Sequence, residues 1–299
     1  MSGFKQNLYI HSKEDLVGGN YQSVHVSGST IMRGPLQCET LKVSGFGQFK
    51  QKVQVNRMKV SGKSTHDGEL IIEDCQISGT LKTKSQIQCL NSLRVSGFLK
   101  STKNIMMSQG KVSGHLKTSG LIKGKELQVT GMCYSDELKV TYASISGIVT
   151  VKKLIVDHEL DVSGALNVNQ LIEAEQLKVS GRLKCTGLIN AETIKLEAKS
   201  GSTFEEIGAS SIKIMKHRSS FISETVISMF GKVAEGLGIN QKISGRQIEA
   251  DEIYVEYATI KKIRGHHVVI GPECMIEEVE YTGSLVVDEN SIVKESIRG

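Results

Sequence analysis

The chain repeats one apolar pattern on a beat of about 17 residues. Val or Ile stands at Val26, Val43, Val60, Ile77, Val95, Val112, Val129, Ile145, Val162 and Val179, each followed by Ser or Thr and then by Gly. The ten glycines run from Gly28 to Gly181 at gaps of 17, 17, 17, 18, 17, 17, 16, 17 and 17 residues. Four places before the glycine a second column holds Leu41, Met58, Cys75, Leu93, Leu127, Ala143, Leu160 and Leu177, broken by Gly110. Two places after it a third holds Leu81, Leu99, Leu116, Cys133, Val149, Leu166 and Leu183. Lys, Arg, Ser and Gln fill the places between. Apolar positions two apart belong to strands, and the β-branched column suits a pleated surface.

Seventeen residues are too few for a strand–helix–strand crossover and fewer than a leucine-rich repeat. The pattern predicts an all-β fold: a parallel three-sided β-helix with one 17-residue repeat per coil. Each coil supplies about six inward side chains, two from each of three short strands, and successive coils lie about 4.8 Å apart. The glycine after Val-Ser falls at a corner that needs either φ > 0 or close approach to the next coil.

Beyond Gly181 the beat loosens. Gly201, Gly245, Gly265 and Gly283 continue it at wider or uneven gaps, so coils are expected to run on. The spacing divides the chain into an N-terminal tail or cap over 1–20, coils over 21–218, an insertion over 219–240 and further coils over 241–299. Within the insertion Ile222, Val226, Met229, Phe230, Val233 and Leu237 lie on one face of a helix. One short amphipathic helix is therefore expected, with Ser223 as N-cap. It either packs on a flank of the β-helix or offers Phe221, Ile222, Val226, Met229, Phe230 and Val233 to a membrane or a partner.

Composition narrows the function. The chain has 299 residues, 2 Pro, no Trp and 39% apolar content, which fits a folded body rather than a disordered one. It has no run of 18 apolar residues and no secretory leader pattern. The six cysteines are scattered, and Cys75 and Cys133 fall in inward columns. Buried free thiols point to a reducing cytoplasm, with a peripheral place at the inner face of the membrane as the alternative.

The net charge of +5 is patterned. Lys42, Lys59, Arg94, Lys111 and Lys178 stand three places before the glycine, and Lys82, Lys100, Lys117 and Lys184 three places after it. Stacked coils turn these into outward basic ladders, which either keep sheets apart or meet an anionic surface such as lipid headgroups. With 5% aromatic residues and no recognition helix, nucleic acid is not expected as a partner.

No phosphate loop, catalytic triad or metal-spaced cluster appears, so no catalytic, cofactor or metal residue is assigned. His66 occupies an inward column, and the adjacent His266 and His267 are expected on opposite faces. The stretch from Val268 to Ile276 resembles a hexapeptide repeat of left-handed β-helix acyltransferases, but it occurs once.

The Leu-Lys-Val-Ser-Gly unit at 41–45, the unit from Leu177 to Lys184 and the tail from Ile248 to Gly283 resemble the bactofilins, in their longer Gram-positive form. The resemblance implies a right-handed three-sided β-helix that joins end to end into filaments without nucleotide. Such filaments are scaffolds at the membrane that localise cell-envelope or motility proteins. The membrane-targeting stretch of some members is represented here only by Phe4, Leu8, Tyr9 and Ile10. The leading expectation is a self-assembling structural protein, not an enzyme, whose first partner is itself. The alternatives are a monomeric β-helix binding module and, third, an acyltransferase. Val43, Val60, Ile77, Val95, Val112, Val129, Ile145, Val162 and Val179 are the expected core column. Val26 and Val286 are the expected end-to-end interface.

Overall fold

The computed structural model describes residues 6–197, 201–216 and 242–299. They form an all-β parallel solenoid of about 15 turns, some 17 residues per coil, in two compact units, Met1–Val151 and Lys152–Gly299. The expected insertion helix falls on 217–241 and lies outside the described residues.

One coil of the first unit shows how the pattern becomes three sides. The strand Leu36–Val43 buries Leu36 and Cys38, passes the exposed Glu39 and half-buried Thr40, and then buries Leu41 and Val43. The break in alternation at Glu39 and Thr40 is a corner. After the Ser44-Gly45 corner, Phe46–Phe49 buries Gly47 and Phe49. Each coil therefore sends six residues inward, two per side. Here Leu36/Cys38 represents side one, Leu41/Val43 side two and Gly47/Phe49 side three.

Every strand pairing described is parallel, and the register follows the repeat. Val26 lies against Val43, Val43 against Val60 and Val60 against Ile77. The single gap of 18 residues is absorbed by a register shift between Cys89 and Ser92, at the corner of sides one and two. The extra residue pushes Leu90 outward, 57% exposed.

The first coil begins inside the segment expected as a tail or cap. Leu8–Ile10 pairs with Gly19–Val26, setting Ile10 beneath Val26, and Ile10 is fully buried. In the second unit the side-two column continues through Val179, Leu196, Ile214, Val255, Ile270 and Val287. The strand Thr203–Ile214 pairs directly with Ile243–Val255 as the next coil.

The Ser-Gly corner is a close approach, not a left-handed turn. The N–H groups of Ser44 and Gly45 both donate to the Val26 carbonyl, at 2.8 and 3.0 Å, and the same pair recurs at Ser78 and Gly79 on Val60. A Cβ on Gly79 would lie 2.1 Å from the Gly62 carbonyl oxygen of the coil below, and none of these corner glycines has positive φ. Gly201, Gly245, Gly265 and Gly283 are not part of that ladder. Gly245 lies against Phe204, whose ring fills the place of its side chain. Gly265 lies against Ala250 and Tyr281 on side one. The corner itself passes on to residues such as Glu256, which donates to the Ile214 carbonyl, and Gly271, which donates to that of Val255.

Gly79→Ala therefore forces two coils apart and is expected to destabilise by about 2 kcal/mol. Gly208, whose added Cβ would meet only Asn190 Oδ1 at 3.7 Å, should accept alanine with no loss or a gain of about 0.5 kcal/mol. Thermal melting followed by circular dichroism measures both. Equal melting temperatures for the two variants would contradict the close approach.

Candidate functional site

The expected core column is interior along its whole length. Val43, Val60, Ile77, Val95, Val112, Val129, Ile145, Val162 and Val179 are at most 2% exposed. These residues hold coils together and are out of reach of any ligand.

The expected interface residues lie elsewhere than the repeat suggests. Val26 is 1% exposed, roofed by Val43 and floored by Ile10, so it is not in an end coil. Val286 is 58% exposed but lies against the outward Val269. The inward residues beside it are Leu285 and Val287, against the buried Val268 and Ile270. The candidate contact residues Phe221, Ile222, Val226, Met229, Phe230 and Val233 lie outside the described residues.

Two surfaces emerge, the second of them carrying the Lys82, Lys100 and Lys117 ladder expected from the repeat. One is the last described coil of the second unit. The strand Ile292–Arg298 covers the preceding one only over Met275–Tyr281. Among the described residues no strand covers 284–287, nor the far edge of Ile292–Arg298. The inward Val287 is consequently 41% exposed, and Val286, Ile292 and Ile297 around it are 58%, 57% and 42% exposed. A row of unpaired strand groups beside bare aliphatic side chains is the usual template for adding another chain.

The second surface is side three of the first unit. Outward-facing residues there form two in-register columns: Phe46, Lys63, Thr80, Phe98, His115 and Met132, and beside it Gln48, Thr65, Lys82, Lys100, Lys117 and Tyr134. Over these six coils neither column holds a carboxylate; two coils below Gln48 the second column reaches Asp15, which Arg33 neutralises at 2.6 Å. Lys82, Lys100 and Lys117 stack like on like, with no ion pair among the described residues. The other carboxylates of the first unit sit at corners, on other sides or, as Glu14 does, in that same first strand of side three. Asp67 bridges Lys50 and Lys84 at 2.9 and 3.0 Å, and these bonds hold its carboxyl below the usual range.

The second unit treats stacked charge differently. Lys178 reaches Glu159 at 2.6 Å, and Lys262 reaches Glu278 and Glu280 at 2.9 and 2.5 Å. Hydrogen bonds from Arg264 and Lys262 hold the Glu280 carboxyl well down. By sequence the first unit carries 19 Lys and Arg against 10 Asp and Glu, the second 18 against 22. The excess positive charge belongs to the first unit.

His266 and His267 both reach the outer surface, with ring centroids 4.2 Å apart. They donate to or accept from Thr282 Oγ1 and Ser284 Oγ at 2.8 and 2.9 Å. The opposite-face expectation fails because a corner falls between them, where the register shifts. The acyltransferase-like stretch forms part of one coil, with Val268 and Ile270 inward and Gly271 at a corner. All six cysteines are buried and unpaired, and burial pushes the Cys38, Cys89 and Cys133 thiols up to about 12. No group of three or more metal-ligating side chains occurs among the described residues, and none of their helices is long and apolar enough to cross a membrane.

Comparison with known proteins finds two relatives of limited overlap. The chain is 38% identical over 56 residues to "Uncharacterized protein YhbE" of Bacillus subtilis (strain 168), covering 19% of this chain and 24% of that protein. It is 31% identical over 97 residues to "Uncharacterized protein YhbF" of the same organism, covering 32% of this chain and 35% of that protein. The chain thus spans about a quarter to a third of either relative's length. No family model matches, and no solved structure matches.

His66 gives the interior a pH response. It is 1% exposed, stacked on Phe49 with ring centroids 4.6 Å apart and hydrogen-bonded through Nε2 to Ser64 Oγ at 2.8 Å, while Nδ1 has no partner. Burial lowers its pKa from 6.5 to about 3. Below pH 6.5 the unfolded chain takes up a proton that the folded one refuses. Stability is therefore full above 6.5 and falls as the pH drops toward 3. His66→Phe should remove this slope, worth a few kcal/mol at the acid end, while leaving the neutral melting temperature unchanged or higher. Urea unfolding of both proteins across this range measures the difference, and parallel curves would contradict it.

Proposed function

We propose that this chain is a self-assembling scaffold protein of the bactofilin kind, structural rather than catalytic, whose copies join coil on coil. The observation that supports this reading is the last described coil, where, among the described residues, an uncovered strand edge leaves the inward-column Val287 and Val293 in contact with water. Docking a terminal coil of a second copy there would complete the strand ladder and bury those aliphatics. A contact between unlike surfaces repeats without closing and builds a filament. Its driving force is apolar burial and hydrogen-bond completion, so the step calls for no nucleotide.

A filament of this type would present the same set of outward side chains once per copy of the chain. That periodicity suits holding many copies of one partner. The resemblance suggests cell-envelope or motility proteins as the class of partner.

The double variant Val287→Arg and Val293→Arg places charge on the open coil at sites already in partial contact with water. It should melt within a few degrees of the parent yet sediment as discrete particles, where the parent forms filaments in negative-stain micrographs. Val26→Arg, by contrast, buries an unpaired charge and should fail to fold. Filaments that survive the double variant would overturn assembly through this coil, and a parent that remains discrete at all concentrations would overturn the reading itself.

A further inference from the structure

The carboxylate-free stretch of side three from Phe46 to Tyr134 poses a physical problem. Lys82 lies directly against Lys100, and Lys100 against Lys117, at a strand spacing of about 4.8 Å. Like charges stacked this way destabilise a sheet. The same chain avoids the problem elsewhere by alternating sign, as at Lys262 with Glu278 and Glu280. Side three also holds two polar atoms, Thr65 Oγ1 and His115 Nε2, that are shielded from solvent and have no hydrogen-bond partner.

We propose that side three of the first unit is a docking face for anionic phospholipid bilayers. The sheet face spreads its ammonium groups over a surface instead of converging them on a point, which suits many headgroups rather than one small anion. Lys63, Lys82, Lys100 and Lys117 supply four cations, within the number that marks a polybasic lipid-binding cluster. Phe46, Phe98 and Met132 stand among them as partly exposed apolar groups, the mixture that settles at the headgroup level.

Single-stranded nucleic acid is disfavoured by the rings themselves. Base stacking requires free aromatic faces. Here His115 packs on Phe98 and on Tyr134, with centroids 5.1 and 5.3 Å apart, and Lys63 covers the Phe46 ring at 5.5 Å. The rings offer edges, which a headgroup layer accepts and a base does not. This docking concerns the first unit alone and does not depend on whether copies assemble.

The test is co-sedimentation of the full chain with vesicles of phosphatidylglycerol and phosphatidylcholine, against vesicles of phosphatidylcholine alone. Binding is expected only to the anionic vesicles, and it should fall steeply between about 0.1 M and 1 M salt as the Debye length shrinks. The triple variant Lys82→Gln, Lys100→Gln, Lys117→Gln should lower the partition on the order of 100-fold. The charge-matched triple Lys42→Gln, Lys59→Gln, Lys111→Gln, on side two, should retain most of it. Circular dichroism confirms that each variant folds. Equal loss in both triples would assign the effect to net charge and overturn the face. Failure of the parent to bind anionic vesicles at low salt would also overturn it. So would salt-sensitive capture of a polythymidine strand that the side-three triple abolishes while vesicle binding persists.

Discussion

The corner at which two successive N–H groups share one carbonyl of the coil below is the constraint on which the structure depends. Ser44 and Gly45 on Val26, Ser78 and Gly79 on Val60, and Ser113 and Gly114 on Val95 repeat it at 2.8–3.0 Å. The approach is so close that a side chain on the glycine would occupy the carbonyl of the preceding corner. That contact sets one coil over the next without a lateral step. Val then falls on Val, and each of the six inward positions becomes a column.

Vertical alignment has consequences for every outward residue as well. In a parallel in-register stack a side chain meets its own equivalents above and below, so any charge repeated by the sequence confronts itself. The second unit resolves this by placing Glu159 beside Lys178 and Glu280 beside Lys262 and Arg264. The first unit leaves Lys82, Lys100 and Lys117 unresolved on side three. Polar residues in the interior column follow the same logic. Thr83 and Ser101 stand where Phe49 and His66 stand in earlier coils, and they turn their hydroxyls to backbone groups two residues onward.

Much of this was legible because inward positions recur with period two within a side and about 17 between coils. Val60 or Leu99 could be placed in the interior from spacing alone. What escaped were the features that depend on corners and ends. Ile10 continues the Val26 column with His11-Ser12 after it instead of Ser-Gly, so the first coil carried no recognisable mark. Gly245 and Gly265 imitate the repeat, yet they make room for a neighbour's ring or backbone inside the coil. His266 and His267 share the outer surface because alternation is interrupted at a bend. The open coil escaped for a related reason: Val286 is apolar and near the last repeat, but only pairing with Val269 reveals that it faces outward while Leu285 and Val287 face in. A pattern of apolar letters reports which residues avoid water in the middle of a stack, and it is silent where no coil lies above.

The parallel register itself is open to a direct chemical measurement. Lys42 and Lys59 are outward partners on adjacent coils, at a separation that a disulfide can bridge. A chain carrying Lys42→Cys and Lys59→Cys should therefore form an intramolecular disulfide on mild oxidation, with the six native thiols still buried, and should melt at a higher temperature once oxidised. If that pair stays reduced while Lys42→Cys crosslinks to a residue that an antiparallel hairpin would bring opposite it, the stacked-coil account is wrong.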